Sequence, residues 1–220
     1  MNEQLLNRIQ ELNRTTFSDG TVVNEVLDEL IVCAARTALQ HTVETGCGRT
    51  TLLLSHLSGD HLVFSLHGNN IDGVREHGDL LRKETTRFIE GPSLQHLPTF
   101  HFEHPLDLAF LDGAHGFPFP FVEYYFIYPH LREGAILVVD DLRIPTVYQL
   151  FDILRHDAMY ELEKVVSGNT AFFRRTDAPT ANPFRECWQQ QGYNTAYYPV
   201  ELNAVASGIV RTSPAPKVKP

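Results

Sequence analysis

Cysteine is scarce in this chain. Cys33, Cys47 and Cys187 are three in number, widely spaced and without a C-x-x-C pair, which excludes a disulfide framework and a zinc knuckle. A reducing compartment suits such a pattern. Basic residues are also few: 18 Lys and Arg stand against 27 Asp and Glu, for a formal net charge of -9. Phosphate backbones are held by concentrated Lys and Arg, so nucleic acid is excluded as a general partner. No apolar run reaches the length of a membrane span, and Met1-Asn2-Glu3-Gln4 lacks the basic-then-apolar order of a signal peptide. The expectation is a cytoplasmic protein with no membrane contact. Internal repeats and low-complexity domains are missing too.

What remains is ordinary globular composition. The 220 residues are 43% hydrophobic and 20% charged, enough to bury one core without staples. Most of the histidines stand singly, as His56, His77 and His130 do, and read as surface or packing residues. Leu5, Leu6, Ile9 and Leu12 recur at helical spacing, and a second helical stripe runs from about Val22 to Leu39. Residues 1–40 are therefore expected to form an N-terminal helical cap.

From residue 41 the rhythm changes. His41–Glu44, His61–Leu66, Arg87–Glu90, Leu106–Leu111, Ala135–Val139, Glu161–Val166 and Thr170–Arg174 read as strands, with helical segments near 51–54, 72–84, 119–131 and 146–156. The fourth run is apolar except for Asp107, as a strand buried on both faces must be. Gly134 reads as the stop of the preceding helix. The last two runs are close enough to pair as an antiparallel hairpin. Strands alternating with helices predict an α/β fold: a doubly wound, seven-stranded, mostly parallel sheet over residues 41–176. An irregular Pro-rich tail over 177–220 follows.

Ligands of such sheets bind beyond the carboxyl ends of the strands. Four polar clusters fall there: Glu44-Thr45-Gly46-Cys47-Gly48, Gly91-Pro92-Ser93, Asp112-Gly113-Ala114-His115 and Asp140-Asp141. Gly46 and Gly48 let the backbone approach a ligand and open a helix with free N–H groups. A Gly-rich connector with no ligand is the plainer reading. The full G-x-G-x-x-G is absent, because Thr51 stands three residues after Gly48. Glu44 suits a cationic amino group better than a pyrophosphate. Asp112, Asp140 and Asp141 together have the oxygen donors for a hard divalent cation such as Mg²⁺; capping of turns and helices is the alternative. His115 has the pKa range of a general base, or it serves the turn through a hydrogen bond. Phe119 to Tyr128 supplies aromatic core, with Phe117 and Phe119 near enough to the rim to line an acceptor pocket.

In order and spacing these residues resemble the class I S-adenosylmethionine-dependent methyltransferases. They are most similar to the small metal-dependent O-methyltransferases grouped with catechol O-methyltransferase and the macrolide- and aminocoumarin-sugar enzymes. The resemblance spans about residues 41–176. It implies a Rossmann-like sheet ending in the antiparallel hairpin. Glu44-Thr45-Gly46-Cys47-Gly48 would be the turn that binds the cofactor's methionine, and Gly91 and Ser93 would lie beside the adenine. Asp112 would stand at the cofactor and, with Asp140 and Asp141, would be a metal ligand. Asp112 and Asp140 are 28 residues apart, as in the metal-dependent members. His115 falls at the position of the general base, beside Asp140 as a second catalytic residue. One departure stands out. The second strand of the family ends in an acid that accepts both ribose hydroxyls, whereas here His67 follows Ser65-Leu66, and a histidine makes only one such bond. Asp72 is the nearest replacement.

The expected activity is S-adenosylmethionine-dependent methyl transfer to the oxygen of a small hydroxylated acceptor, with Mg²⁺ assistance. Two rivals stand beside it: a nucleotide-binding oxidoreductase of Rossmann type, and a non-catalytic binding module. The N-terminal helices offer a surface for a homo-oligomer.

Overall fold

An aspartate in the middle of a buried strand sets the first structural problem. Strand β4 (Leu106–Leu111) is buried along its whole length, Asp107 included. The Asp107 carboxylate accepts hydrogen bonds from the backbone N–H of Gln40 and His41, at 2.7 and 2.8 Å, and from Arg132 Nε at 2.6 Å. A buried charge is tolerated when it is paired in this way. The three bonds also fasten the start of β1 (His41–Thr45) to its neighbours.

The computed structural model describes residues 3–12, 21–66, 69–183, 185 and 191–195. Five further strands complete the sheet: β2 (Asp60–Ser65), β3 (Thr86–Glu90), β5 (Leu131–Val139), β6 (Tyr160–Val166) and β7 (Thr170–Arg175). Their order is β3-β2-β1-β4-β5-β7-β6. Pairings from β3 through β5 are parallel, while β7 runs antiparallel to both β5 and β6. The predicted seven-stranded doubly wound sheet and its terminal hairpin are thus observed. Strand order reverses direction between β1 and β4, the place where such sheets open a crevice.

Side chains alternate across the sheet, as a two-residue period requires. Ala109 and Leu111 of β4 join Val43, Phe64 and Leu137 on one face. That face is covered by α6 (Phe119–Ile127) and α7 (Pro145–Leu154). Leu108 and Phe110 join Val63, Ile136 and Phe172 on the other face. There they meet α1 (Glu3–Glu11), α2 (Asn24–Arg36), α3 (Arg49–Leu57) and α4 (Asn69–Glu76). The two N-terminal helices bury Ile9, Val26, Leu27, Leu30 and Cys33 in this same core. Arg49, the first residue of α3, ties them down by donating to Gln10 O, Thr21 Oγ1, Val22 O and Asn24 Oδ1. A short helix, α5 (Ser93–His96), follows β3.

Two boundaries differ from the sequence reading. Gly134 lies inside β5, at φ +76°, and does not end a helix. The β4–β5 register shifts beside it, between Leu106 and Leu108, so the glycine serves an irregularity in the strand. The helix expected near 72–84 stops at Glu76, and a 3₁₀ turn at Lys83–Thr85 leads into β3. Two residues after β7 lie against α6 and the turn that follows it. Tyr128 and Tyr125 donate their hydroxyls to the carbonyls of Ala181 and Pro183, at 2.7 and 2.9 Å, and Ala181 is buried. Among the described residues no helix is long and apolar enough to cross a membrane.

Candidate functional site

Backbone bonds stitch the carboxyl-terminal rim together one step beyond each strand. Gly46 N–H donates to Phe64 O, Asp112 N–H to Thr45 O, Asp140 N–H to Leu111 O and Gly91 N–H to Ser65 O, all within 2.9–3.1 Å. All four polar clusters therefore sit on one edge, as the sequence reading expected. Gly46 adopts φ +83°, and a β-carbon there would stand 2.0 Å from the Asp112 carbonyl oxygen. Only glycine fits. Gly48 is extended at φ 175° and precedes α3, where its N–H donates to Thr51 Oγ1 at 3.0 Å.

Glu44 is 1% exposed, and its carboxylate is already engaged. It accepts from Thr50 Oγ1, from Thr51 Oγ1 at 2.6 Å and from His61 Nε2 at 3.2 Å. The far nitrogen of His61 meets Thr42 Oγ1 at 2.8 Å. Glu44 thereby fixes the first turn of α3 against β1 from inside. Cys47 is buried, its Sγ accepts from Ser65 Oγ at 3.2 Å, and burial pushes the thiol up to about 12.

Asp112, His115 and Asp141 bring three ligand-capable atoms within 4.8 Å of one another. His115 Nε2 lies 3.0 Å from Asp141 Oδ2 and 3.7 Å from Asp112 Oδ1. Nε2 is buried yet makes no well-directed hydrogen bond to either. Asp141 has φ +60°, a left-handed turn that aspartate tolerates and that swings its carboxylate toward His115. Asp140 is not part of this group. Its carboxylate, 3% exposed, accepts from Thr170 Oγ1 and, at 3.4 Å, from Asn169 Nδ2. Asn169 Nδ2 also donates to Asp141 Oδ1 at 3.0 Å. The expected trio of carboxylates is thus split: the backbone turn sends Asp141 outward and Asp140 back against β7.

Electrostatics follow from this crowding. Burial raises Asp112 well above the usual carboxylate range, and the charges of Asp140, Asp141 and Glu44 push the same way. His115 rises to about 10 because Asp112 and then Asp141 hold its proton. Asp141 is lowered, chiefly by His115. Burial raises Asp140. The His115 imidazolium is the counter-charge to Asp112 and Asp141.

Ser93 opens α5 and is 7% exposed; its Oγ donates to Glu123 Oε1 at 2.6 Å. Glu123 was not singled out in the sequence, where it stands in an aromatic-rich helix. Its signal was a single acid among apolar residues. Gly91 has φ +132°, and a β-carbon there would meet His96 Nε2 at 2.5 Å. His67 lies outside the described residues. Phe121, Tyr124, Phe126 and Tyr128 join the core, whereas Phe117 is 80% exposed on the loop after His115.

Residues 43–142 match the methyltransferase domain family. Solved structures agree in fold. The O-methyltransferase TomG from Streptomyces achromogenes, in complex with S-adenosylmethionine, superposes with a TM-score of 0.64 at 16% identity, covering 80% of this chain and 91% of that one. An O-methyltransferase from Bacillus cereus, in complex with S-adenosylhomocysteine, gives 0.59 at 14% identity, with 79% and 90% coverage. Precorrin-8w decarboxylase from Methanobacterium thermoautotrophicum gives 0.53 at 16% identity, with 73% and 97% coverage. No curated protein matches the sequence. The chain has the Rossmann-like fold of these methyltransferases, and its residues 43–142 resemble a methyltransferase domain.

Proposed function

We propose that the protein binds S-adenosylmethionine at this rim and transfers its methyl group to an oxygen of a small hydroxylated acceptor. The observation that carries the reading is the acidic rim itself. His115, Glu123 and Asp140 line one small cavity, Asp112 and Asp141 flank His115, and Gly46 packs on the Asp112 carbonyl. Such a rim attracts a sulfonium, an ammonium or a divalent metal ion, and it repels the pyrophosphate of a dinucleotide. That disfavours the oxidoreductase reading. TomG and the Bacillus cereus enzyme, solved with cofactor or its product, support the choice of ligand.

In this reading Gly46, Cys47 and Gly48 receive the methionine end, with Glu44 holding their turn rigid from beneath. Gly91 and Ser93 flank the adenine, and Asp112 stands between cofactor and acceptor. The chain's main contribution is to position the acceptor oxygen in line with the methyl group, because the sulfonium is already a good leaving group. His115 stands at the mouth of the site; Asp112 and Asp141 favour its protonated form, and it takes the acceptor's proton only after giving up its own.

A divalent cation such as Mg²⁺ fits the donors present. The facing oxygens of Asp112 and Asp141 beside His115 outline a site for it, with Asp140 and Asn169 bracing Asp141. Bound there, its charge would offset the carboxylates that keep His115 protonated and would lower the pKa of the acceptor hydroxyl. Asp112 and Asp141 hold the position; His115 keeps the proton or moves it.

Calorimetric titration with S-adenosylhomocysteine and with NADH tests the cofactor, and binding of NADH alone overturns it. Methyl transfer to a panel of phenols, sugars and hydroxy acids tests the acceptor class. Loss of transfer in a chelator, restored by Mg²⁺ or Mn²⁺, is expected; transfer undiminished in a chelator removes the cation from the reading.

A further inference from the structure

Helix α6 reads Phe119-Pro120-Phe121-Val122-Glu123-Tyr124-Tyr125-Phe126-Ile127, with one charge among apolar residues. A surface helix turns its charged residue to water. This one does the reverse: Glu123 is 2% exposed. Its oxygens serve other segments of the rim. Oε2 accepts from Thr45 Oγ1 at 2.8 Å and Oε1 accepts from Ser93 Oγ at 2.6 Å. Both hydroxyls are buried, Thr45 fully so. The same carboxylate rests on the α-carbon of Gly113, where a β-carbon would come within 2.4 Å of Oε1. Three rim loops, after β1, β3 and β4, therefore meet on one side chain.

A glutamine would fill the same volume at less cost, because burial pushes the Glu123 carboxyl up to about 7. A packing role alone does not account for a charge in this place. A carboxylate has only acceptors, so it obliges both hydroxyls to point at it; an amide leaves one of them to turn away. The charge therefore fixes a geometry that a neutral isostere does not.

We propose that Glu123 is the positioning residue of the cofactor crevice: its carboxylate holds Thr45, Ser93 and the Gly113 backbone in the arrangement that receives S-adenosylmethionine. This rests on the cofactor reading given above. Glu123 acts through the loops it joins and does not touch the reacting atoms.

The test compares wild type, Glu123→Gln, Thr45→Val and the double variant by calorimetry with S-adenosylhomocysteine, alongside thermal unfolding and Mn²⁺ binding. Glu123→Gln is expected to melt at or above the wild-type temperature and to bind Mn²⁺ unchanged. Its Kd for S-adenosylhomocysteine rises about tenfold, the scale of one lost charge-assisted hydrogen bond. KM for the cofactor rises with it while kcat at saturation holds. Thr45→Val weakens binding likewise, and the double variant is no worse than the weaker single one, since both act through one contact. Equal cofactor affinity in wild type and both single variants overturns the inference alone. So does tighter binding in Glu123→Gln, which would make the carboxylate an obstruction. Absence of S-adenosylhomocysteine binding in the wild type defeats the cofactor reading first and the inference with it. Should Glu123→Gln fail to fold, Thr45→Val with Thr45→Ser as its rescue carries the same test.

Discussion

The α-carbon of Gly46 faces the carbonyl of Asp112 so closely that one added methyl group would lie 2.0 Å from the oxygen. The first loop of the fold and the end of the fourth strand are thus packed backbone to backbone, and the left-handed φ of +83° at Gly46 makes the approach possible. Gly46→Ala meets both penalties, strain in the left-handed region and a collision with main chain that no rotamer relieves. A loss of about 2–4 kcal/mol is expected from such a change. Urea unfolding measures it; a midpoint within error of wild type contradicts the packing described.

Glu123 makes stability depend on pH in a direction opposite to that of most acids. Its pKa is about 7 in the folded protein against an ordinary 4.5, because burial disfavours the charged form. The folded state therefore holds this proton more tightly than the unfolded state does. The stabilising contribution is complete below the unfolded value and is lost as pH rises through the folded value. The full loss is about 3 kcal/mol as an upper bound. Glu123→Gln has no such proton, so its advantage over wild type should grow between pH 5 and about 8 and then level off. Urea midpoints at pH 5, 6.5 and 8 check this, and a difference that does not vary with pH refutes it.

Asp140 and Asp141 are neighbours in sequence with different surroundings. Asp141 faces His115, while Asp140 is held by Thr170 and Asn169. Asp141→Asn is expected to reduce Mn²⁺ affinity at least tenfold and to leave the melting temperature nearly unchanged. Asp140→Asn should reverse the balance. The Thr170 hydroxyl and the Asn169 amide both donate to Oδ1 of Asp140, so an amide keeps the two bonds but loses the charge that strengthens them, a cost of about 1 kcal/mol. Electron paramagnetic resonance of free Mn²⁺ and thermal melting separate the two. The opposite pattern would put the cation on Asp140.

Thiol chemistry gives an independent reading of the rim. Burial pushes Cys47 up to about 12 and Cys33 up to about 11. Thiolate is the reactive form, so at pH 8 neither should be alkylated by iodoacetamide in the folded protein, and both should react in urea. Peptide mapping by mass spectrometry reads this directly. Rapid native labelling of Cys47 would show that the loop between β1 and α3 opens in solution.

The succession of strands and helices along the chain, the placement of four polar clusters on one edge and the aromatic core were legible in the sequence. Each follows from short-range pattern: Leu106–Leu111 is apolar enough to be a strand buried on both faces, and a strand that ends in Asp112-Gly113 presents its polar end to the rim. Element boundaries were less legible where one residue has two uses. Gly134 stops helices in general but here relieves a strand, and only the β4–β5 register distinguishes the two.

The sequence by itself determined the parallel sheet, its terminal hairpin and which residue types reach the crevice, because hydrophobic period and turn chemistry are local. Tertiary structure alone decided what those residues face. The turn at Asp141 separated it from Asp140, the hydroxyls of Thr50 and Thr51 closed over Glu44, and Glu123 came from the middle of an aromatic helix to join Thr45 and Ser93. Side-chain direction and long-range hydrogen bonding depend on neighbours dozens of residues away, and no local pattern records them.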